Sequence, residues 1–209
     1  IGNLGDISLR ALETLNSVDI IACEDTRHTL KLLSHYDIHK PLISCHSYNE
    51  QQGAKKIISL LSEGKEVAYC SDAGTPGLSD PGALLVQMAR AAGYKVVPIP
   101  GPSAFACLIS ASGLQGRTFL FDGFLSPKAG KRRTRLRELL DRGEPFILYE
   151  SPFRIGKLLA DIASIDPERR LCIGKELTKI HEEITEGKAK ELALRFFAEP
   201  AKGEFCILV

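Results

Sequence analysis

The first half of the chain alternates between short apolar runs and segments with helical periodicity. Apolar, partly β-branched runs predict buried strands at residues 18–23, 42–45, 66–70 and 95–99. Between these runs, apolar positions recur every three or four residues, as they do at Ala54, Ile57, Ile58 and Leu61. Strand and helix in alternation predict a parallel sheet with helices on both faces.

The helix after the third strand has a distinct start signal. Asp80 is predicted at its N-cap and Pro81 at its first position, where the missing N–H of proline costs nothing.

The second half of the chain has a different order of elements. Strands are predicted at 118–122, 146–150, 171–175, 182–186 and 204–209, with helices at 153–164 and 188–198. Consecutive strands late in the chain predict a mixed sheet. The small, flexible residues from Ser112 to Gly116 suggest a boundary between an N-terminal α/β domain, 1–114, and a C-terminal α/β domain, 115–209.

Composition excludes several classes of protein. The 209 residues are 44% apolar and 25% charged, which excludes a disordered chain or a fibre. No apolar run reaches the roughly 18 residues of a membrane span. From the opening residues we expect no secretory signal. The six cysteines form no C-x-x-C pair, which favours buried reduced thiols in a cytoplasmic protein. Because the chain opens at Ile1, we expect residues upstream of it to be missing.

Charge is balanced overall but segregated locally. The net charge is +1, yet residues 128–142 carry seven basic against two acidic side chains. Leucines at helical spacing predict that the arginines of this segment face outward. A solvated helix face is one interpretation, and contact with nucleic-acid phosphates is the one we favour.

Two loops rich in glycine and proline follow predicted strands. Residues 71–82 read SDAGTPGLSDPG and residues 98–104 read PIPGPSA. Neither is a Walker or dinucleotide-binding loop. Loops at the carboxyl ends of neighbouring parallel strands line one crevice, so we expect these two to bind a ligand without phosphate groups.

Eight short motifs in order resemble one family. They are IGNLGDIS at 1–8, EDTR at 24–27, SDAGTPGLSDP at 71–81, PIPGPSA at 98–104, FDGFL at 121–125, YESPFR at 149–154, GKELTKIHEE at 174–183 and GEF at 203–205. Together they resemble the ribosomal RNA small subunit methyltransferase I family, within the tetrapyrrole-methylase class of S-adenosylmethionine enzymes. The family has a first strand ending in Thr-Pro, which we expect to be missing before Ile1.

The resemblance implies an enzyme with two α/β domains, a cofactor cleft between them, and a homodimer. It implies methylation of the ribose 2′-oxygen of a decoding-centre cytidine in 16S ribosomal RNA, within the 30S subunit. It also implies S-adenosylmethionine contacts at Asp72, Gly74, Thr75, Leu78, Ser103, Ala104, Gly123, Phe124, Glu176 and Leu177. From the charge pattern, and not from the resemblance, we expect Lys128, Lys131, Arg132 and Arg133 to bind RNA. Arg27 and Arg154 are expected to bind RNA phosphate or a carboxylate.

Transfer of a methyl group to a hydroxyl needs a proton acceptor. Candidates at strand ends are Glu24, Asp25, His46, Glu150 and Lys175. Four of the five have another interpretation: Glu24 and Asp25 as helix caps, His46 as a turn residue, and Glu150 as the partner of Arg154. We favour Glu24 or Asp25 as the proton acceptor.

Two rival functions stay open at this point. One is a methyltransferase of the same class that acts on a small tetrapyrrole-type molecule. The other is a catalytically silent RNA-binding module. The histidines show no metal-ligand spacing with cysteine or acidic residues, so we expect no catalytic metal.

Overall fold

Residues 1–114, 116–198 and 202–209 are described by a computed structural model, in which contacts divide the chain into two units. The first unit comprises Asn3–Ser103 with Ile1, and the second comprises Gly2 and the described residues from Ala104 to Val209. The predicted boundary at 114/115 touches Gln115, which lies outside the described residues. The division falls earlier because the helix after Ser103 packs on the sheet of the second unit.

The first unit is built on a three-stranded parallel sheet. Its elements are a 3₁₀ turn Leu4–Asp6, α1 (Leu9–Ser17), β1 (Ile20–Cys23), α2 (Thr26–His35), β2 (Leu42–Ser44), α3 (Glu50–Ser62), β3 (Val67–Cys70) and α4 (Ala83–Ala91). The strand order is β2-β1-β3, and both pairings are parallel. Ile21 and Ala22 enter separate apolar clusters, because successive side chains point to opposite faces of a strand. The predicted parallel sheet with helices on both faces is confirmed.

The predicted strand at 95–99 is wrong, because this segment is irregular in the structure. Proline has no N–H to donate to a neighbouring strand. Pro98 lies within the segment and Pro100 directly follows it. Their carbonyls accept side-chain hydrogen bonds instead: Arg10 donates to Pro98 and Ser8 to Pro100, each at 3.4 Å.

Helix α4 begins later than predicted. Gly82, with φ +125°, is its N-cap, and the helix starts at Ala83 rather than at Pro81. The Glu50 carboxylate, from the first turn of α3, accepts hydrogen bonds from the N–H groups of Gly82 at 2.9 Å and Leu84 at 3.3 Å. The prediction that Asp80 is the N-cap is therefore wrong, since a residue distant in sequence caps the helix.

The second unit contains a five-stranded mixed sheet, as predicted. Its elements are α5 (Ala104–Ala111), β4 (Leu120–Phe124), α6 (Ala129–Asp141), β5 (Phe146–Glu150), α7 (Ile155–Ile165), β6 (Arg170–Lys175), β7 (Glu183–Lys188), α8 (Ala189–Ala198) and β8 (Phe205–Leu208). The order is β4-β5-β8-β6-β7, with β4 and β5 parallel and the other pairs antiparallel. The central strand β8 is buried along its whole length.

Candidate active site

Three polar side chains follow the three strands of the first unit at one edge of its sheet. Glu24 follows β1, His46 comes after β2, and Asp72 comes after β3. Backbone bonds continue the strand pairing here: the Glu24 N–H donates to the Cys70 carbonyl at 3.3 Å. The Asp25 N–H donates to Asp72 Oδ1 at 3.0 Å. This carboxyl edge is where parallel α/β sheets carry their ligand sites.

Asp25 is the N-cap of α2. Its Oδ1 accepts the Arg27 N–H at 2.8 Å, and its Oδ2 lies 2.7 Å from Nη2 of the Arg27 guanidinium. These hydrogen bonds from Arg27 hold the pKa of Asp25 well below its usual range. The cap left open as an alternative for Asp25 is thus present, and a carboxylate held in this way is a weak proton acceptor.

Glu24 has the opposite electrostatic environment. Burial raises the pKa of Glu24, and the negative charge of Asp72 raises it further. A hydrogen bond from the Asp72 backbone and the charge of His46 act in the other direction. A carboxylate whose pKa is raised by burial and by a second carboxylate is the kind of group that takes up a proton in catalysis.

His46 is held against this edge by its backbone. Its N–H donates to Oδ1 of Asn49 at 2.8 Å, and its ring packs edge-on against Tyr48 with centroids 6.1 Å apart. The Nδ1 atom is buried and has no hydrogen-bond partner among the residues that the structure describes. A buried polar atom of this kind is unusual in a folded protein and marks a place where a ligand can contribute.

The two glycine- and proline-rich loops are in contact within the first unit. The Thr75 hydroxyl donates to the Pro102 carbonyl at 3.5 Å. Gly74, with φ +73°, adopts a backbone conformation that side chains rarely take. The Ser103 hydroxyl oxygen is buried and, within the described parts of the chain, has no partner. This hydroxyl fits a ligand that brings a polar group of its own, as the amino-acid and ribose portions of S-adenosylmethionine do.

In the second unit, Gly123 and Phe124 lie at the end of β4. Gly123, with φ +67°, occupies an irregularity in the β4–β5 pairing. Phe124 is about half exposed, and its ring packs edge-on against Tyr149 at 5.7 Å. Tyr149 also packs against Phe121 at 4.9 Å. The two residues predicted to contact the cofactor therefore adjoin an aromatic cluster.

Glu176 and Leu177 form a strained turn after β6. Glu176 has φ +49° and Thr178 has φ +69°, although neither is glycine. Strain of this kind concentrates at functional sites. The Glu176 carboxylate accepts from Nζ of Lys179 at 2.8 Å and from the Glu204 N–H at 2.9 Å, and Lys179 lowers its pKa. Leu177 is buried. A predicted cofactor contact at Glu176 would therefore involve its backbone.

Two other catalytic candidates are engaged in ion pairs. Glu150 is only 2% exposed and accepts from Nε of Arg154 at 2.7 Å and from the Ser151 N–H at 2.8 Å. Lys175 Nζ lies 3.6 Å from the carboxylate of Glu183. The alternative interpretation of Glu150, as the partner of Arg154, is the arrangement found.

The basic segment forms α6, but its arginines do not all face outward. The prediction is wrong for Arg132, which is 5% exposed and donates from Nε to Asp161 at 2.7 Å. Arg133 reaches the other oxygen of the same carboxylate at 2.7 Å. Arg135 pairs with Asp122. Lys128 and Lys131 are exposed. Asp161 lies on α7, so no local pattern in the basic segment points to it.

No group of three or more histidine, cysteine or acidic residues within 1–114, 116–198 and 202–209 could hold a metal ion. None of the helices in those ranges is both long and apolar enough to cross a bilayer.

Comparison with known proteins identifies the family. Residues 1–193 match the family described as Tetrapyrrole (Corrin/Porphyrin) Methylases. A protein of Borrelia garinii subsp. bavariensis named ribosomal RNA small subunit methyltransferase I is 48% identical over 100% of this chain and 94% of its own length. The chain belongs to the ribosomal RNA small subunit methyltransferase I family.

Other members of this family are similarly close. Proteins of the same name from Neisseria meningitidis serogroup B and Thermotoga maritima are 45% and 43% identical. Both matches cover 100% of this chain, with 72% and 94% of the respective relatives.

Solved structures confirm the fold of this family member. Cobalt precorrin-4 methyltransferase, a cobalamin biosynthetic enzyme, matches with a TM-score of 0.71 at 15% identity, over 99% of this chain and 90% of that one. The methyltransferase CobJ matches with a TM-score of 0.72 at 16% identity, over 99% and 89%. At this level of identity the likeness concerns the fold alone.

Proposed function

We propose that this chain uses S-adenosylmethionine to methylate the ribose 2′-oxygen of a decoding-centre cytidine in 16S ribosomal RNA. The observation that carries the proposal is the similarity, over the whole chain, to relatives named ribosomal RNA small subunit methyltransferase I. We further propose that it works in the cytoplasm as a homodimer and that its substrate is the 30S subunit.

For the cofactor, we propose the two contacting loops of the first unit as a principal binding element. The Ser103 hydroxyl and the turn at Gly74 and Thr75 support this assignment, with Asp72, Leu78 and Ala104 nearby in sequence. From the second unit we propose Gly123, Phe124, Leu177 and the backbone of Glu176. When bound, S-adenosylmethionine supplies a methyl group on a sulfonium, a good leaving group.

For the proton of the ribose hydroxyl, we propose Glu24 as the acceptor. Its raised pKa supports this choice, whereas the lowered pKa of Asp25 and the ion pairs of Glu150 and Lys175 do not favour those residues. Uptake of a proton at the Glu24 carboxylate leaves that group neutral, which relieves its repulsion with Asp72.

For RNA, we propose phosphate contacts at Lys128 and Lys131, which are exposed at the start of α6. Arg27, Arg133 and Arg154 each have a carboxylate partner in the structure. They can contact phosphate while they keep that partner. Arg132 is buried, so we do not propose that it contacts RNA.

The test is transfer of labelled methyl from S-adenosylmethionine to 30S subunits that lack the decoding-centre modification, followed by nuclease digestion. Label on one cytidine 2′-oxygen is the expected result. Labelling of a tetrapyrrole-type acceptor but not of the subunits would overturn the RNA substrate. RNA binding without cofactor affinity or methyl transfer would instead indicate a silent binding module.

A further inference from the structure

An aromatic ring stands in solvent at the turn between β5 and α7. The side chain of Phe153 is 88% exposed, although a phenyl ring gains free energy when it leaves water. Exposed aromatic side chains are the usual stacking surfaces for unpaired bases in single-stranded nucleic acid.

The turn that carries Phe153 is held rigidly. The buried Glu150 carboxylate accepts hydrogen bonds from the N–H of Ser151 and from Nε of Arg154. These two residues flank Phe153 in the sequence. The N–H groups of Arg154 and Ile155 both donate to the Ser151 carbonyl at 3.1 Å. A rigid turn lowers the entropy lost when the ring binds a partner.

The same turn is tied to the start of the basic helix. Nη1 of Arg154 donates to the Leu125 carbonyl at 3.4 Å, in the segment that leads into α6. Nη1 of Arg132 donates to the Pro127 carbonyl at 3.3 Å in that same segment. Lys128 and Lys131 follow directly and are exposed. The turn that carries the ring is therefore hydrogen-bonded to the segment that leads directly to these exposed lysines.

We propose that Phe153 stacks on an unpaired base of the substrate RNA while Lys128 and Lys131 contact neighbouring phosphates. The inference rests on the proposed RNA substrate and adds a residue that holds the base. Exposed lysines on the segment to which the Phe153 turn is bonded favour RNA over a second protein surface, because the cores of protein interfaces are depleted of charge.

The test measures binding of a short single-stranded RNA that carries 2-aminopurine, whose fluorescence falls when it stacks. In Phe153→Ala and Phe153→Leu, we expect the Kd to rise about 5- to 150-fold and the quenching to be lost. Phe153→Trp should keep both. Leucine separates stacking from simple apolar contact, since it has similar bulk without a ring. Ile180→Ala, at a side chain that is 93% exposed, is the matched surface control.

Salt dependence separates the ring from the lysines. The slope of log Kd against log salt should be unchanged in Phe153→Ala. In the Lys128→Ala and Lys131→Ala variants the slope should fall by about 0.7 for each phosphate that the protein no longer neutralises.

Three results would overturn the stacking proposal: wild-type affinity in Phe153→Ala, full affinity in Phe153→Leu, or a change of oligomeric state on sedimentation of Phe153→Ala. The last would place the ring between two copies of the chain. If the wild-type protein methylates 30S subunits in any of these cases, the proposed function survives. If the wild type neither binds the RNA nor methylates the subunits, both proposals fail.

Discussion

Glu24 of the first unit has an environment opposite to those of two carboxylates in the second unit. In the first unit, burial and Asp72 raise the pKa of Glu24. In the second, Lys179 lowers the pKa of Glu176, and Asp161 lies between two guanidinium groups. The strand ends of the first unit therefore keep a carboxylate that can change its charge. The second unit uses its carboxylates to hold its elements together.

The second unit also has the larger apolar cluster. Among the residues that the structure describes, two clusters of five buried residues each lie on opposite faces of the first unit's sheet. The second unit has a cluster of sixteen, contributed by both its helices and its strands. A larger core removes more apolar surface from water and can bear the desolvation of buried ion pairs.

The largest expected effect comes from Glu24→Gln. If Glu24 is the proton acceptor, methyl transfer should slow by about 10²- to 10⁴-fold, with cofactor affinity unchanged by calorimetry. The wild-type rate should fall as the pH drops through the raised pKa of Glu24, because a protonated carboxyl group accepts no proton.

The free energy of unfolding of Glu24→Gln gives a second test. A raised pKa in the folded state means that ionised Glu24 opposes folding at neutral pH, so Glu24→Gln should not lower the free energy of unfolding. A variant that transfers methyl groups at the wild-type rate would show that the proton has another acceptor.

The next effect concerns the buried ion pair of the second unit. Asp161→Ala leaves the Arg132 guanidinium buried without its carboxylate and should lower the free energy of unfolding by about 3–5 kcal/mol. Arg133→Ala removes the partially exposed partner of the same carboxylate and should cost at most about 1 kcal/mol. Urea denaturation measures both. Equal losses would mean that burial does not distinguish the two arginines.

A smaller effect should follow from the cap in the first unit. Glu50→Ala leaves the N–H groups of Gly82 and Leu84 without their acceptor, and should cost about 0.5–2 kcal/mol on thermal or urea unfolding. Glu50→Gln keeps an oxygen at that position and is the matched control. Were both variants to lose the same stability, the charge of Glu50 rather than its hydrogen bonds would matter.

The smallest effect is expected at the surface of the second unit. Hydrogen bonds from Lys188 and Lys190 lower the pKa of Glu168 to about 2. The stability that the two lysines give by pairing with ionised Glu168 should be complete above the carboxyl group's unfolded pKa of about 4.3. It should be lost as the pH falls toward the pKa of Glu168 in the folded protein. The difference in Tm between wild type and Glu168→Gln should therefore shrink on acidification. A difference that is constant with pH would exclude the ion pair as its cause.

Local patterns determined most of the secondary structure and the place of the loops. The strand at 146–150 agrees with the structure residue for residue, and three first-unit strands differ from it by one or two residues at their ends. Alternation of strands and helices also predicted which strand ends would share an edge, since parallel strands all end on the same side. For that reason the sequence could predict that Glu24, His46 and Asp72 lie at the same edge of the sheet.

Tertiary structure decided which charged groups pair when the partners are distant in the sequence. Helical spacing predicted that Arg132 is exposed, but it is buried, and its guanidinium pairs with the carboxylate of Asp161 on α7. Asp80 had the local marks of an N-cap, yet the N-cap is Gly82, and Glu50 on α3 accepts the N–H groups at the start of the helix. Residues 95–99 have a strand's composition, but the Pro98 carbonyl accepts a hydrogen bond from Arg10 of α1, and the carbonyl of Pro100, just beyond the segment, accepts one from Ser8. Ion pairs and helix caps between distant residues depend on which elements the folded chain brings within a few ångströms, and local sequence carries no record of those distances.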